Sequence, residues 1–345
     1  AMATTIWGTS SSWTLTALPL FVWMGEILFR TKLSENLFEG LSPWMQKLPG
    51  GLIHVNVVGC ALFAAISGSS AATVATVGKM SIPELRKRNY PEKILLGSLA
   101  GSGTLGLLIP PSIILIIYGV TVQESIAKLF VAGIIPGIMI ALIFMSYVIL
   151  WSLFNKKQMP NIVNQYSFID KIKRSGQLIP VIILILSVIG SIYTGIATAT
   201  EAASLGVVGA LILSYFQKSL SWSTFKSSLL GATKTSCMIS FILAGSAFLS
   251  LSMGFTGLPR NLAIWINSLE LSPYILIFVL MIFYIILGMF LDGISAVVLT
   301  MAIIEPMIRQ AGFDMIWFGI FLVVVVEMAQ ITPPVGFNLF VLQSM

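Results

Sequence analysis

The sequence GSGTLGLLIPPS, at residues 101–112, lies inside an apolar segment that runs from about Ile94 to Val120. The segment is long enough to cross a bilayer. However, its glycines weaken a helix, and Pro110 and Pro111 remove two successive backbone donors. Lipid cannot satisfy the backbone groups that such a break leaves unpaired, so protein or a polar ligand must do so. The sequence therefore predicts a broken transmembrane helix.

A second break is predicted at residues 331–336, ITPPVG, inside another apolar segment. Two Gly/Pro-interrupted spans in corresponding positions of two halves indicate the binding site of a secondary transporter. The composition agrees, because the chain is 57% hydrophobic and 9% charged with a mean hydropathy of +0.97. These values are typical of a multi-pass membrane protein.

The basic residues indicate how the chain crosses the membrane. Of its 19 lysines and arginines, 16 fall in segments that the positive-inside rule assigns to the cytoplasmic side. The net charge of +6 therefore does not predict nucleic-acid binding. The sequence offers neither a nucleophile with its base nor a metal cluster, so we expect no enzyme and no organic cofactor. We expect the chain to be part of a longer membrane protein.

Two apolar runs are interrupted by polar tips, at Ser67–Ser70 and at Leu291–Ser295. Each run is too short for two full spans, and both of its flanks fall on the same predicted side of the membrane. This pattern predicts re-entrant helical hairpins. For the first run, a single long span with a Gly-Ser kink is the alternative. The mixed stretches 33–48 and 256–271 are typical of interfacial helices.

The two halves repeat one order of parts: apolar span, interfacial helix, hairpin and broken span. The predicted fold is an all-α polytopic membrane protein with inverted repeats, because the two hairpins open to opposite sides. Such repeats place a substrate site near the midplane, between the tips and the breaks. The predicted divisions are a first repeat at 1–154 with hairpin 51–80 and broken helix 94–120, a cytoplasmic linker at 155–176, and a second repeat at 177–345 with hairpin 273–304 and broken helix 316–342.

Five motifs, in this order, resemble the large membrane subunit of the tripartite ATP-independent periplasmic (TRAP) transporters, and the resemblance covers nearly the whole chain. They are Ser67–Ser70, Gly103–Gly106 with Ile109–Ser112, Thr198–Ala202, Asp292–Gly293 and Thr332–Gly336.

The resemblance implies a sodium-driven importer in the bacterial inner membrane that uses an elevator mechanism. It also implies two partners, a small membrane subunit that is fused to the large one in some members and a soluble periplasmic binding protein. The chain is most similar to the sialic acid branch, so we expect sialic acid or a related acidic sugar as substrate, with a C4-dicarboxylate as the other option. A channel with re-entrant selectivity loops is the alternative function.

Site residues are expected where the helices lose backbone partners and expose oxygen atoms to a small cation or a substrate. The predicted sodium ligands lie around Ser67, Ser69, Gly103 and Pro110, and around Asp292, Ser295 and Thr332. The predicted substrate contacts are Ser70, Thr104, Asp292, Gly293, Pro334 and Arg260. The alternatives are that Asp292 caps a helix, that the small tip residues serve packing, and that Arg260 is an interfacial anchor. Glu327, near the second break, is a further candidate for lining the cavity.

Overall fold

The computed structural model describes residues 2–160, 166–268 and 272–345, and within these ranges the chain is helical with no strand. Residues 161–165 of the predicted linker and 269–271 of the second predicted interfacial stretch lie outside the described residues. The helices before the linker are Met2–Ser10 (α1), Ala17–Phe29 (α2), Leu33–Met45 (α3), Ile53–Ser67 (α4), Ser70–Lys87 (α5), Glu92–Gly103 (α6), Leu105–Leu108 (α7), Ile113–Val122 (α8) and Ile126–Phe154 (α9).

Nine further helices follow in the described residues, and the first of them lies within the predicted linker. They are Phe168–Ser175 (α10), Ile179–Tyr193 (α11), Ala199–Phe216 (α12), Trp222–Thr256 (α13), Leu258–Ser268 (α14), Pro273–Gly288 (α15), Gly293–Gln310 (α16), Met315–Gln330 (α17) and Phe337–Gln343 (α18). Hydroxyl or carboxylate side chains cap several of these helices where the sequence supplies them. Thr198, for example, forms a capping box with Glu201 at the start of α12.

Six helical segments in the described residues are long and apolar enough to cross a membrane, so the prediction of an all-helical, multi-span fold is confirmed. These segments differ in how much of their apolar part is buried. In Glu92–Val122, which contains the first break, 83% of the apolar 18-residue stretch is buried, whereas in Trp222–Thr256 only 17% is. The broken span therefore lies in the protein core, and α13 presents an apolar surface.

The first hairpin consists of α4 and α5, which meet at Gly68 and Ser69. Gly68 has a left-handed conformation, with φ of +60°, that favours glycine. The second hairpin consists of α15 and α16, with Asp292 as the cap of α16.

Both second helices of these hairpins extend beyond the predicted ends at residues 80 and 304, to Lys87 and Gln310. Their last turns carry charged pairs, Glu84 with Arg88 at 3.3 Å and Glu305 with Arg309 at 2.9 Å. These pairs, with basic residues at the helix ends, favour helix past the apolar run.

The two repeats share one register. Ser69 caps α5 and Asp292 caps α16, Pro83 and Pro306 lie within these two helices, and Pro110 and Pro333 begin the Pro-Pro pair of each break. Each pair is separated by 223 positions. The packing is reciprocal as well, because α8 packs on α16 while α18 packs on α5. In each half, the helix that follows the break therefore packs against the hairpin of the other half.

Candidate functional site at the two hairpin tips

The first tip is a compact cluster of hydroxyl groups. The Ser67 Oγ and Thr73 Oγ1 atoms are 2.8 Å apart, and Thr73 Oγ1 donates to the Ser69 carbonyl at 2.7 Å. The Ser67 hydroxyl donates to the same carbonyl at 3.3 Å. Thr73 was not predicted from the sequence. The signal available was its position one helical turn after Ser69, which places it beside the carbonyl of the capping residue.

The first tip lies directly against the first break. The Ile113 amide donates to the Gly68 carbonyl at 3.3 Å. At Gly106, a Cβ atom would stand only 2.5 Å from the Ser69 carbonyl oxygen, and at Gly68 it would stand 2.7 Å from that of Pro111. The structure thus brings Ser67 and Ser69 next to the Pro110–Pro111 break. Gly103 packs against Val74 of α5, where no side chain would fit.

The backbone groups freed by the first break are satisfied by protein. The Leu107 amide donates to Glu327 Oε1 of α17 at 3.1 Å. The Thr104 hydroxyl, which donates to the Gly101 carbonyl at 2.6 Å, lies beside the same carboxyl. Ser112, which caps α8, donates its hydroxyl to the Leu107 carbonyl. The requirement that protein replace the missing helical partners in the membrane is therefore met largely by side chains, one of them from the other repeat.

Gln330, at the end of α17, lies between the two tips. Its Oε1 accepts a hydrogen bond from the buried Ser70 hydroxyl of the first tip at 2.8 Å. At Gly293 of the second tip, a Cβ atom would be 2.7 Å from Gln330 Nε2 and 3.3 Å from Ile114 Cδ1 of α8. The two hairpins and two broken helices therefore converge at one place, and a single amide side chain contacts both tips.

The second tip is organised by Asp292. Its Oδ2 accepts the amides of Ile294 and Ser295, each at 3.1 Å, and its Oδ1 accepts the Ser295 hydroxyl at 2.5 Å. The capping role of Asp292 is thus present in the structure, and the half-buried carboxylate retains lone pairs for a further partner. The Thr332 hydroxyl instead donates to the Met328 carbonyl of its own helix at 2.7 Å.

The other two predicted substrate contacts lie apart from the buried tips. Pro334 is exposed in the second break, and Arg260 is exposed on α14. In the described residues, no hydrogen bond or ion pair joins either residue to a tip. Their roles as substrate contacts stay predictions.

A cavity of about 350 Å³ opens beside the first tip. Ser67, Ser69 and Ala72 line it on one side, and Glu26 of α2 and Thr235 of α13 line it on the other. Its size lies within the range of small-molecule sites. It places the first tip opposite helices that belong to neither hairpin.

The donor atoms around the tips are hydroxyl, amide, carboxylate and carbonyl oxygens, which suit a hard cation such as sodium. Within the described ranges, no three His, Cys, Asp or Glu side chains cluster as a transition-metal site would require.

Gln330 was not predicted from the sequence. Glu327 and Gln330 are polar residues three apart in an apolar helix just before a Pro-Pro pair, and this spacing puts both on one helical face.

Paired hairpins and broken helices that meet inside a helical membrane protein define the architecture of a secondary transporter. The chain belongs to the family described as the tripartite ATP-independent periplasmic transporter, DctM component, which it matches over residues 1–345.

Named relatives carry different substrates in their names. The C4-dicarboxylate TRAP transporter large permease protein DctM of Pseudomonas aeruginosa is 32% identical over 342 residues, which are 99% of this chain and 79% of that protein. The 2,3-diketo-L-gulonate TRAP transporter large permease protein YiaN of Escherichia coli is 32% identical over 97% of this chain and 78% of its own length. The isethionate permease protein DctMQ of Oleidesulfovibrio alaskensis is 32% identical over 96% of this chain, which spans 52% of that protein.

A solved structure, that of the Alcanivorax borkumensis YdaH transporter, has a similar fold. The TM-score is 0.66 over 99% of this chain and 79% of that one, at 11% sequence identity. At this identity the likeness concerns the fold alone.

Proposed function

We propose that the chain is the large membrane subunit of a sodium-driven importer that moves a small organic acid across the bacterial inner membrane. The observation that carries this proposal is the meeting of both tips at Gln330, because it gathers oxygen donors from both repeats in one buried place. Sodium would bind at the hydroxyls and carbonyls of the first tip and at the carboxylate of Asp292. The driving ion and the substrate would then bind to the same group of helices, the two hairpins and the two broken helices.

The transport step is an elevator motion. The two hairpins and the two broken helices form the moving body. The fixed frame consists of α2 with α12 and α13, which both pack on α2. The cavity between the first tip and the residues Glu26 and Thr235 lies at the boundary between these two bodies. A substrate held there would be exposed to one side of the membrane at a time.

The proposed substrate is sialic acid or a related acidic sugar, with a C4-dicarboxylate as the second candidate. A periplasmic binding protein would deliver it, and a small membrane subunit would support the frame. The relatives named for C4-dicarboxylate, diketogulonate and isethionate support an organic anion as the class.

The test is uptake of radiolabelled sialic acid and succinate into proteoliposomes that contain the chain with both partners. We expect uptake that saturates and that requires an inward sodium gradient, with a potassium gradient of the same size as the control. Uptake that grows linearly with substrate and ignores the sodium gradient would indicate a channel instead.

A further inference from the structure

The short helix α10 is held against α3 by one tryptophan. The Trp44 indole Nε1 donates to Ser175 Oγ at 2.7 Å, and the Phe168 ring meets the Trp44 ring edge-on, with centroids 6.3 Å apart. The Lys171 ammonium lies 5.2 Å from the centroid of the same ring, a cation–π distance. These contacts fix one side of α10.

The adjoining side of α10 is apolar and uncovered. Phe168 is 66% exposed, Ile169 75% and Ile172 54%, and Trp44 beside them is 41% exposed. At 100° per residue, the three α10 positions fall within one arc of about 100°. Leaving this much contiguous apolar surface in water is unfavourable.

The position of α10 in the chain places this surface at the membrane boundary. The helix follows α9, whose segment Ile126–Phe154 is long and apolar enough to span. It forms the first eight residues of the next segment that is long enough, Phe168–Tyr193, which continues into α11. The apolar arc therefore lies at the level where two spans leave the hydrocarbon.

Exposed basic side chains lie near the apolar arc along the chain. Lys173 and Arg174 are exposed on α10, and Lys156 and Lys157 are exposed just after α9. Asp170 is the acidic residue of α10. Arg174 stacks over the Tyr166 ring at 4.9 Å, and Glu39 of α3 accepts a hydrogen bond from Gln177 at 3.2 Å. The local charge is positive, and it complements an anionic lipid surface.

We propose that α10, together with Trp44, binds the anionic headgroup surface of the membrane that the chain spans. Phe168, Ile169 and Ile172 enter the acyl boundary, while the four exposed basic side chains contact lipid phosphates, as in interfacial amphipathic helices. Through the Trp44 contacts this attachment fixes α3 to the membrane plane. The proposal does not depend on which solute is carried.

The test is hydrogen–deuterium exchange of residues 166–175 in the purified full chain with its membrane partner, reconstituted into lipid nanodiscs. One set of nanodiscs contains phosphatidylcholine alone, and the other contains phosphatidylcholine mixed with anionic phosphatidylglycerol. We expect slower exchange in the anionic nanodiscs. Lys156→Gln, Lys157→Gln, Lys173→Gln and Arg174→Gln combined should remove that difference, because each basic residue near the surface changes affinity about fivefold. Lys218→Gln, just after α12, with Lys226→Gln, near the start of α13, is the control and should retain the difference.

A second variant tests the apolar arc separately. Ile169→Ser with Ile172→Ser should speed exchange in both lipid compositions, because it removes two of the apolar side chains that enter the acyl boundary. The contacts with Trp44 should remain, since neither isoleucine takes part in them. Equal exchange in the two lipid compositions for the unmodified protein would overturn the proposal and leave α10 held by α3 alone. Protection that requires the small membrane subunit and not the anionic lipid would assign the surface to that protein partner.

Discussion

The two helix breaks have the same Pro-Pro pair in equivalent positions, but their surroundings are opposite. Pro110, Pro111 and Ser112 are buried, whereas Pro333, Pro334 and Val335 are exposed. The freed backbone of the first break is bound by Ser112, by Glu327 and by the carbonyl of Gly68. The difference teaches that the Pro-Pro pair decides where a helix stops, while neighbouring elements decide whether the break is part of the core.

The polar groups are distributed unequally between the repeats. With the shift of 223 positions, Thr104 corresponds to Glu327 and Leu107 to Gln330. Thr104 and Glu327 are in contact, as expected for equivalent residues near a two-fold axis. The second broken helix thus supplies the carboxylate and the amide that complete the first break and the first tip. Within the described residues, no side chain of the first broken helix hydrogen-bonds the second tip or the second break in return.

The largest effect should follow from removing Glu327. Glu327→Ala leaves the Leu107 amide buried without a partner, so we expect the free energy of unfolding to fall by about 2 kcal/mol. Thr332→Ala at the exposed break should change it by less than about 0.5 kcal/mol. Thermal unfolding of the detergent-purified protein measures both. Glu327→Gln keeps an acceptor and should lose less than Glu327→Ala, and equal losses at the two breaks would remove the contrast between them.

An effect of similar size is expected at Gly106. Gly106→Ala forces a Cβ to within 2.5 Å of the Ser69 carbonyl oxygen, and overpacking of this kind costs about 1–3 kcal/mol. The matched control is Gly97→Ala, where a Cβ meets no atom within 4 Å. This control should melt at the same temperature as the unmodified protein, or at a higher one, because alanine favours helix. If both variants melt alike, the close contact between the first tip and the first break is not present.

The shared amide predicts coupling between the repeats. Ser70→Ala and Gln330→Ala should each destabilise the protein, and the double variant should lose about 1 kcal/mol less than their sum, because they remove one hydrogen bond. Ser295→Ala with Gln330→Ala is the control pair, since these two side chains make no hydrogen bond with each other in the described residues. Strict additivity for Ser70 and Gln330 would show that the tips are not joined.

The smallest effects are expected at the two helix caps. Asp292 accepts three hydrogen bonds, while the Ser69 hydroxyl accepts a long one of 3.4 Å from Ala72. We expect Asp292→Ala to cost about 1 kcal/mol and Ser69→Ala about 0.5 kcal/mol. The comparison needs only melting curves of the two variants side by side. A greater loss at Ser69 than at Asp292 would reverse the expected order of the tips.

The sequence predicted the parts of this fold that depend on local chemistry. Glycine and proline positions located both breaks and both tips, and apolar run lengths indicated which segments could span a membrane. The ends of α5 and α16 were missed, since charged pairs continue those helices beyond the apolar pattern. The length of an apolar run carries no information about charged pairs that lie beyond its end.

The contacts between repeats could not be predicted in the same way. Ser70 and Gln330 are 260 positions apart, and no local pattern specifies that they meet. Asp292 stood out because a carboxylate in an apolar segment is costly. Gln330 carries no charge, so it gave a weaker signal despite its central place.

The most direct test of the account is sodium-driven uptake by the Asp292→Asn variant in proteoliposomes, with both partners present. Asparagine retains an oxygen for the cap but loses the negative charge that would bind sodium. The account predicts that Asp292→Asn melts like the unmodified protein and takes up no substrate under a sodium gradient. Normal sodium-driven uptake by Asp292→Asn would contradict it and would leave Asp292 as a helix cap only.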